Sequence, residues 1–216
     1  AVNTIQYVTI TTTGNTTDFG DLSAVRHSCA GIASSTRGIS GGGAAPGLVD
    51  VIEYVTIMAT GNVADFGNLT GAHYGGAGAG SETRGLVLGG RRGPGIVNTI
   101  EYVTIANTGN SADFGDATVS VYHSAAVSSP TRAVRAGGHT GSFSDVIDYV
   151  TIASIGDATD FGDLHKAHMN IGNAASTTRG LFGGGRTDQA GGEVTRIDTV
   201  EIATTGNATD FGDLTA

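Results

Sequence analysis

Six histidines, twenty acidic residues and ten arginines are the groups in this chain that could do chemistry. His27, His73, His123 and His168 recur once per stretch of small residues, which suggests a metal ring at first sight. Measured from the preceding phenylalanine, however, they lie 8, 7, 9 and 7 residues on. Side chains alternate along a strand, so they must point to different faces and cannot share one ion. Asp18 with Asp21, Asp113 with Asp116, Asp160 with Asp163 and Asp210 with Asp213 have no alternating ligands and no terminal Glu of a calcium loop, and Asn68 breaks the series. Turn and cap roles suit them better. The DFG triplet has no kinase catalytic loop or nucleotide lysine around it, and the glycine runs lack the GK[ST] ending of a phosphate loop. No Ser-His-Asp grouping stands out. No catalytic residue, metal site or cofactor is expected.

The elements that must position these groups come from one stretch, IEYVTIMATGNVADFGNL from Ile52 to Leu69, which occurs five times with edits. Its copies place Phe19, Phe66, Phe114, Phe161 and Phe211 at intervals of 47, 48, 47 and 50 residues, a period that marks a repeat architecture. The β-branched and aromatic first half of each copy predicts a strand covered on both faces. The Gly14-Asn15 turn and its equivalents lead into a short strand around DFG, whose Phe carries most of the apolar area. A run of small residues follows, AVRHSCAGIAS at 24–34 in the first instance, suited to strands that converge on an axis. Then Arg37, Arg84, Arg132 and Arg179, each 18 residues past its Phe, open a strand that ends in a glycine pair.

Each period thus yields four strands, and four-stranded sheets repeated every 40 to 50 residues are the signature of a β-propeller. Five outer halves and four inner halves give 18 strands, hence four full blades and a half blade, either a five-bladed ring with one incomplete blade or part of a larger propeller. The single all-β unit divides at 1–22, 23–69, 70–117, 118–164 and 165–216.

The order R-H-S-x-A from Arg26 to Ala30, a short apolar strand into a glycine pair, then V-x-x-I-E-Y resembles the kelch repeat over essentially the whole chain. Kelch repeats usually carry a Trp near the last strand; this chain has none, and the DFG phenylalanine is expected in that space. Arg26 keeps the family's arginine, but His73, Val121 and His168 replace it elsewhere. TTGNATDFGDLT at 204–215 and TRGLFGGG at 178–185 are also similar to repeats of tail-fibre-like structural proteins of marine bacteriophages. That resemblance implies a non-enzymatic structural or adhesive module on a virion surface, outside the cell, whose partners are other structural proteins of the assembly and host-surface protein or glycan. A glycan-active enzyme propeller and an intracellular kelch-type scaffold are the alternatives.

Eleven basic against 20 acidic residues give a formal charge of −9, which repels phosphate backbones and anionic lipid, so neither nucleic acid nor membrane insertion is expected. Cys29 is the only cysteine, so no internal disulfide forms. A start without Met suggests a processed chain or a piece of a longer one.

The meander divides the loops into two sets. SSTR and TTGN barely change, whereas GAAPG at 43–47, RRGPG at 91–95, HTGSF at 139–143 and RTDQAGGE at 186–193 vary freely. Recognition is expected on the variable set, at Arg91, Arg92, His139, Arg186 and Asp188, although solvated loop residues are the plainer reading and no aromatic cluster is expected beside them. On the other set, Arg37, Arg84, Arg132 and Arg179 are expected to pair with Asp18, Asp65, Asp113, Asp160 and Asp210 in a ring of ion pairs worth about 0–1 kcal/mol each.

Overall fold

The computed structural model describes residues 2–187 and 192–215, and within them every regular element is a β-strand. The first copy of the organising stretch forms a leading ribbon of two antiparallel strands, β1 (Val2–Tyr7) and β2 (Thr17–Arg26). Four antiparallel meanders follow, each paired in chain order. Sheet one holds β3 (Ala30–Ala33), β4 (Arg37–Gly41), β7 (Val51–Thr56) and β8 (Ala64–Asn68), with a small hairpin, β5 (Ala44–Ala45) and β6 (Gly47–Leu48), between its second and third strands. Sheet two is β9 (Ala77–Gly80), β10 (Arg84–Arg92), β11 (Gly95–Thr104) and β12 (Ala112–Asp116). Sheet three is β13 (Ala125–Ser128), β14 (Arg132–Ala136), β15 (Val146–Thr151) and β16 (Thr159–Asp163). Sheet four is β17 (Gly172–Ala175), β18 (Arg179–Gly183), β19 (Arg196–Glu201) and β20 (Thr209–Asp213). The described strands number 20 rather than 18, because GAAPG is long enough to zip into its own hairpin.

The DFG triplet is a β-bulge. In sheet two Glu101 faces Asp113 and Ile100 faces Gly115, so Phe114 is the extra residue between two paired ones. The same shift recurs in every copy. A bulge bends its strand, and here it turns the ring inward, edge-on to the tyrosine of the adjacent strand at 5.9–6.0 Å in sheets one to three.

The bulge glycine has a second reason. A Cβ on Gly67 would lie 2.4 Å from the Gly109 carbonyl oxygen of the next sheet, and Gly20, Gly115 and Gly162 meet the equivalent turns as closely. Through this contact the Gly109 amide donates to the Phe66 carbonyl at 2.7 Å, and the Asn68 amide donates to Asn110 Oδ1 at 3.0 Å. Asn62, Asp157 and Asn207 do the same at the other junctions. TTGN and DFG therefore repeat as one string because the turn of each sheet fastens the bulge of the sheet before it.

Apolar clusters lie between successive sheets. Ile32, Ile39 and Phe66 of sheet one meet Val87, Val103 and Ile105 of sheet two, and the pattern repeats between sheets two and three and between three and four. The small-residue strands β3, β9, β13 and β17 lie side by side and line one recess, with Ala33, Ser81, Pro130 and Ser176 at one end.

Candidate functional site

The residue after each glycine pair returns to the small-residue segment of its own sheet as an isolated bridge: Ala44 to His27, Arg91 to Tyr74, His139 to Tyr122 and Arg186 to Met169. Both backbone bonds are made in each, as in the Arg91 amide to the Tyr74 carbonyl at 2.9 Å and its reciprocal at 3.2 Å. The next residue, Ser28, Gly75, His123 or Asn170, is left-handed, with φ of 56°, 70°, 55° and 57°. Three of these are not glycine, in a region that L residues enter at a cost.

What holds them there is a belt of main-chain bonds from sheet to sheet. The Gly75 amide donates to the Ser28 carbonyl (2.9 Å), the His123 amide to Gly75 (2.7 Å) and the Asn170 amide to His123 (3.0 Å). The belt encloses an open recess of about 160 Å³ lined by Ser28, Cys29, Gly75, Gly76, His123, Ser124, Asn170 and Ile171.

The topology thus gathers Arg91, His139 and Arg186 at equivalent positions around one rim, although they are 48 and 47 residues apart in sequence. The expectation that they lack aromatic company is corrected. Tyr74 and Tyr122 meet at 6.0 Å, His123 lies 5.6 Å from Tyr74 and 4.8 Å from Tyr122, and His139 bridges Tyr122 (5.3 Å) to Phe143 (5.5 Å). Arg91 stands 5.8 Å above the Tyr122 ring. Spacing in the sequence hid this cluster because its members come from different sheets.

Burial pushes the His123 imidazole below its ordinary value, and the neighbouring His27, His139 and Arg186 push the same way. Arg91 and Arg186 bring two guanidinium charges to this rim of a chain of net charge −9. Guanidinium groups and imidazole N–H donors beside aromatic faces can hold a carboxylate, a sulfate or the apolar face of a sugar. Among the described residues no three His, Cys, Asp or Glu side chains gather as a metal-ligand set.

Arg92 is placed differently. It turns under the loop to pair with Glu101, and its Nη2 donates to Thr70 Oγ1 at 3.0 Å. Asp188 lies outside the described residues.

The expected ring of Arg-to-Asp pairs is not formed. Arg37, Arg84 and Arg132 donate instead through Nη1 to the carbonyls of Ile105, Ile152 and Ile202 in the following sheet, at 2.7, 2.7 and 2.9 Å. Their guanidinium carbons sit 4.4, 4.7 and 4.1 Å above Tyr54, Tyr102 and Tyr149. Register is the reason. Arg37 faces Thr56, whereas Asp65 faces Glu53, on the far strand and three residues along, so the two charges stay apart. Asp18, Asp65, Asp113, Asp160 and Asp210 are exposed. Of the recurring residues, Arg179 pairs with Glu201 at 3.1 Å and Asp210 with Arg196 at 3.5 Å.

One buried acid per sheet escaped the sequence reading: Glu53, Glu101, Asp148 and Asp198. Each pins the junction from the sheet before it, as the Thr118 amide and hydroxyl do on Asp148 Oδ2 at 2.9 and 2.7 Å. Each also has an arginine partner, respectively Arg26, Arg92, Arg135 and Arg196. The available signal was an acid inside a strand otherwise apolar on both faces, with neutral Gln6 in the first copy. No protein-family model matches the chain, and a search of curated proteins finds no relative.

Proposed function

We propose that the chain is a kelch-like β-propeller unit serving as a non-enzymatic structural or adhesive module of an extracellular assembly, a phage virion appendage being the reading that its repeat wording favours. Its partners are other structural proteins of that assembly, and the basic, aromatic rim is the surface that contacts a host glycan or protein. One observation carries the adhesive part: Arg91 and His139, from two freely varying loops, gather with Tyr74, Tyr122 and Phe143, and Arg186 takes the equivalent position on the next sheet. The near-identical loops at the opposite end suit rigid spacing rather than recognition.

The test is a glycan array with acidic and neutral saccharides, read with the parent chain and with an Arg91→Ala, His139→Ala, Arg186→Ala variant. Binding concentrated on acidic saccharides and lost in the variant supports the rim. Undiminished binding by the variant removes it, and turnover of a polysaccharide by the parent chain removes the non-enzymatic reading.

A further inference from the structure

The backbone shows where side chains are kept against its own preference. Among the described residues twenty glycines have positive φ, and just three other residues do: Ser28, His123 and Asn170. All three line the same recess of about 160 Å³, to which all four sheets contribute. Glycine enters this region without steric cost, and the chain uses it there everywhere else, so the three side chains are retained for something other than the turn of the backbone.

The fourth member of the belt makes the same point. Gly75 holds the equivalent position, donates to the Ser28 carbonyl and accepts from the His123 amide, so the belt forms without a side chain. A Cβ on Gly75 would stand 3.3 Å from His123 Nδ1, and its absence leaves the imidazole its place beside the recess.

The chemistry of the wall is polar and uncharged. Ser28, His123 and Asn170 supply a hydroxyl, an imidazole and a carboxamide, each able to donate and to accept, and His27 Nδ1 stands 3.2 Å from the Ser28 hydroxyl. Among the described residues that line the recess there is no carboxylate or guanidinium. Charge stands one step outside: Arg91 bridges to Tyr74 and Arg186 to Met169, the residues just before Gly75 and Asn170. The recess is smaller than the roughly 300–1,000 Å³ of pockets that enclose a drug-sized ligand. It therefore has room for one small unit and not for the length of a chain.

We propose that this recess seats the terminal sugar unit of an acidic glycan, whose ring hydroxyls exchange hydrogen bonds with Ser28, His123 and Asn170 while its carboxylate or sulfate lies outward, toward Arg91 and Arg186. The inference rests on the glycan-binding reading of the rim, and adds which part of the glycan is read and by which residues. Sites that hydrogen-bond a hydroxyl reject analogues lacking it, because their own polar groups are then left unpaired.

The probes are the methyl glycosides of glucuronic acid, galacturonic acid, N-acetylneuraminic acid and a sulfated galactose, titrated into the whole chain alongside the glycan array. Saturable one-to-one binding of at least one is expected, weakened about tenfold or more when Ser28→Gly and Asn170→Gly are combined. The melting temperature of that variant is expected to stay within about 3 °C of the parent's, since relieved strain offsets the added freedom of the unfolded chain. Unchanged affinity in the variant overturns the proposal. A melting temperature far below the parent's also overturns it, because the side chains then serve the fold. Array binding of longer acidic chains, with no saturation by any of the methyl glycosides, overturns it and leaves the rim reading standing; no saccharide binding at all removes both.

Discussion

The same string of residues has opposite fates at the middle and at the two ends of this molecule. Ile105 and Ile152 are 1% and 2% exposed, while Ile57 is 40% and Ile10 95% exposed at the equivalent positions. At the other end Phe211 is 52% exposed, where Phe114 is fully buried. Isoleucine at the end of the third strand looks back to the sheet before it, and the bulge phenylalanine looks forward to the turn of the sheet after it. Neither residue is buried by its own sheet. Burial in this fold belongs to pairs of neighbours, as in repeat proteins whose stability is a sum of interface contributions.

The largest test of that contrast is truncation of the same ring at two sites. Phe114→Ala is expected to cost about 3–5 kcal/mol and Phe211→Ala about 1 kcal/mol or less, read from denaturant midpoints. Equal losses would mean that the ring's worth lies within its own sheet.

A comparison of ion pairs comes next in size. Asp148→Asn leaves Arg135 as an uncompensated charge among fully buried groups and is expected to cost about 3–5 kcal/mol. Glu201→Gln breaks the exposed pair with Arg179 and is expected to change stability by about 0–1 kcal/mol.

Smaller still is the contribution of the inter-sheet arginine. Arg84→Ala removes the bond to the Ile152 carbonyl and the contact with Tyr102, for a loss of about 1–2 kcal/mol. Asp65→Ala is expected to be near neutral, and the double variant to be additive within about 0.5 kcal/mol. A coupling well above that would restore the Arg-to-Asp pairing that the register separates.

The smallest effect is on pH. His73, His123 and His168 are all held below the ordinary 6.5, by burial first; for His73 and His168 the bonds to the Gly71 and Lys166 carbonyls oppose the shift. Below 6.5 the unfolded chain binds more protons than the folded one, so stability is full above that value and falls as the pH drops. A melting temperature that declines between about pH 7 and about pH 5, with a shallower slope in His73→Gln and His168→Gln variants, is expected. A flat profile would mean that these sites accept protons as readily as the unfolded chain does.

Much of the fold was legible from residues. The 47- to 50-residue spacing of the phenylalanines, the β-branched IEYVTI run and the glycine pairs located the four strands of every period, because turn chemistry and strand propensity are local properties. The rim was legible only as loose parts. Arg91, His139 and Arg186 could be picked from the variable loops, but Tyr74, Tyr122 and His123 had no visible tie to them. The partners of Glu101 and Asp148 were hidden for a similar reason: Arg92 ends β10 and Arg135 lies inside β14, so no fixed spacing exists to read.

By itself, then, the sequence determined the four strands of each full period and their order within each sheet, which follow from strand propensity and turn chemistry within a single period. Tertiary structure decided what each face meets. It gave the inter-sheet arginines to isoleucine carbonyls rather than to aspartates, assembled the basic rim from three loops, and left Ile57 exposed while Ile105 and Ile152 are buried. Those outcomes depend on which sheet lies alongside, and a repeated string carries the same letters whether or not a neighbour is there.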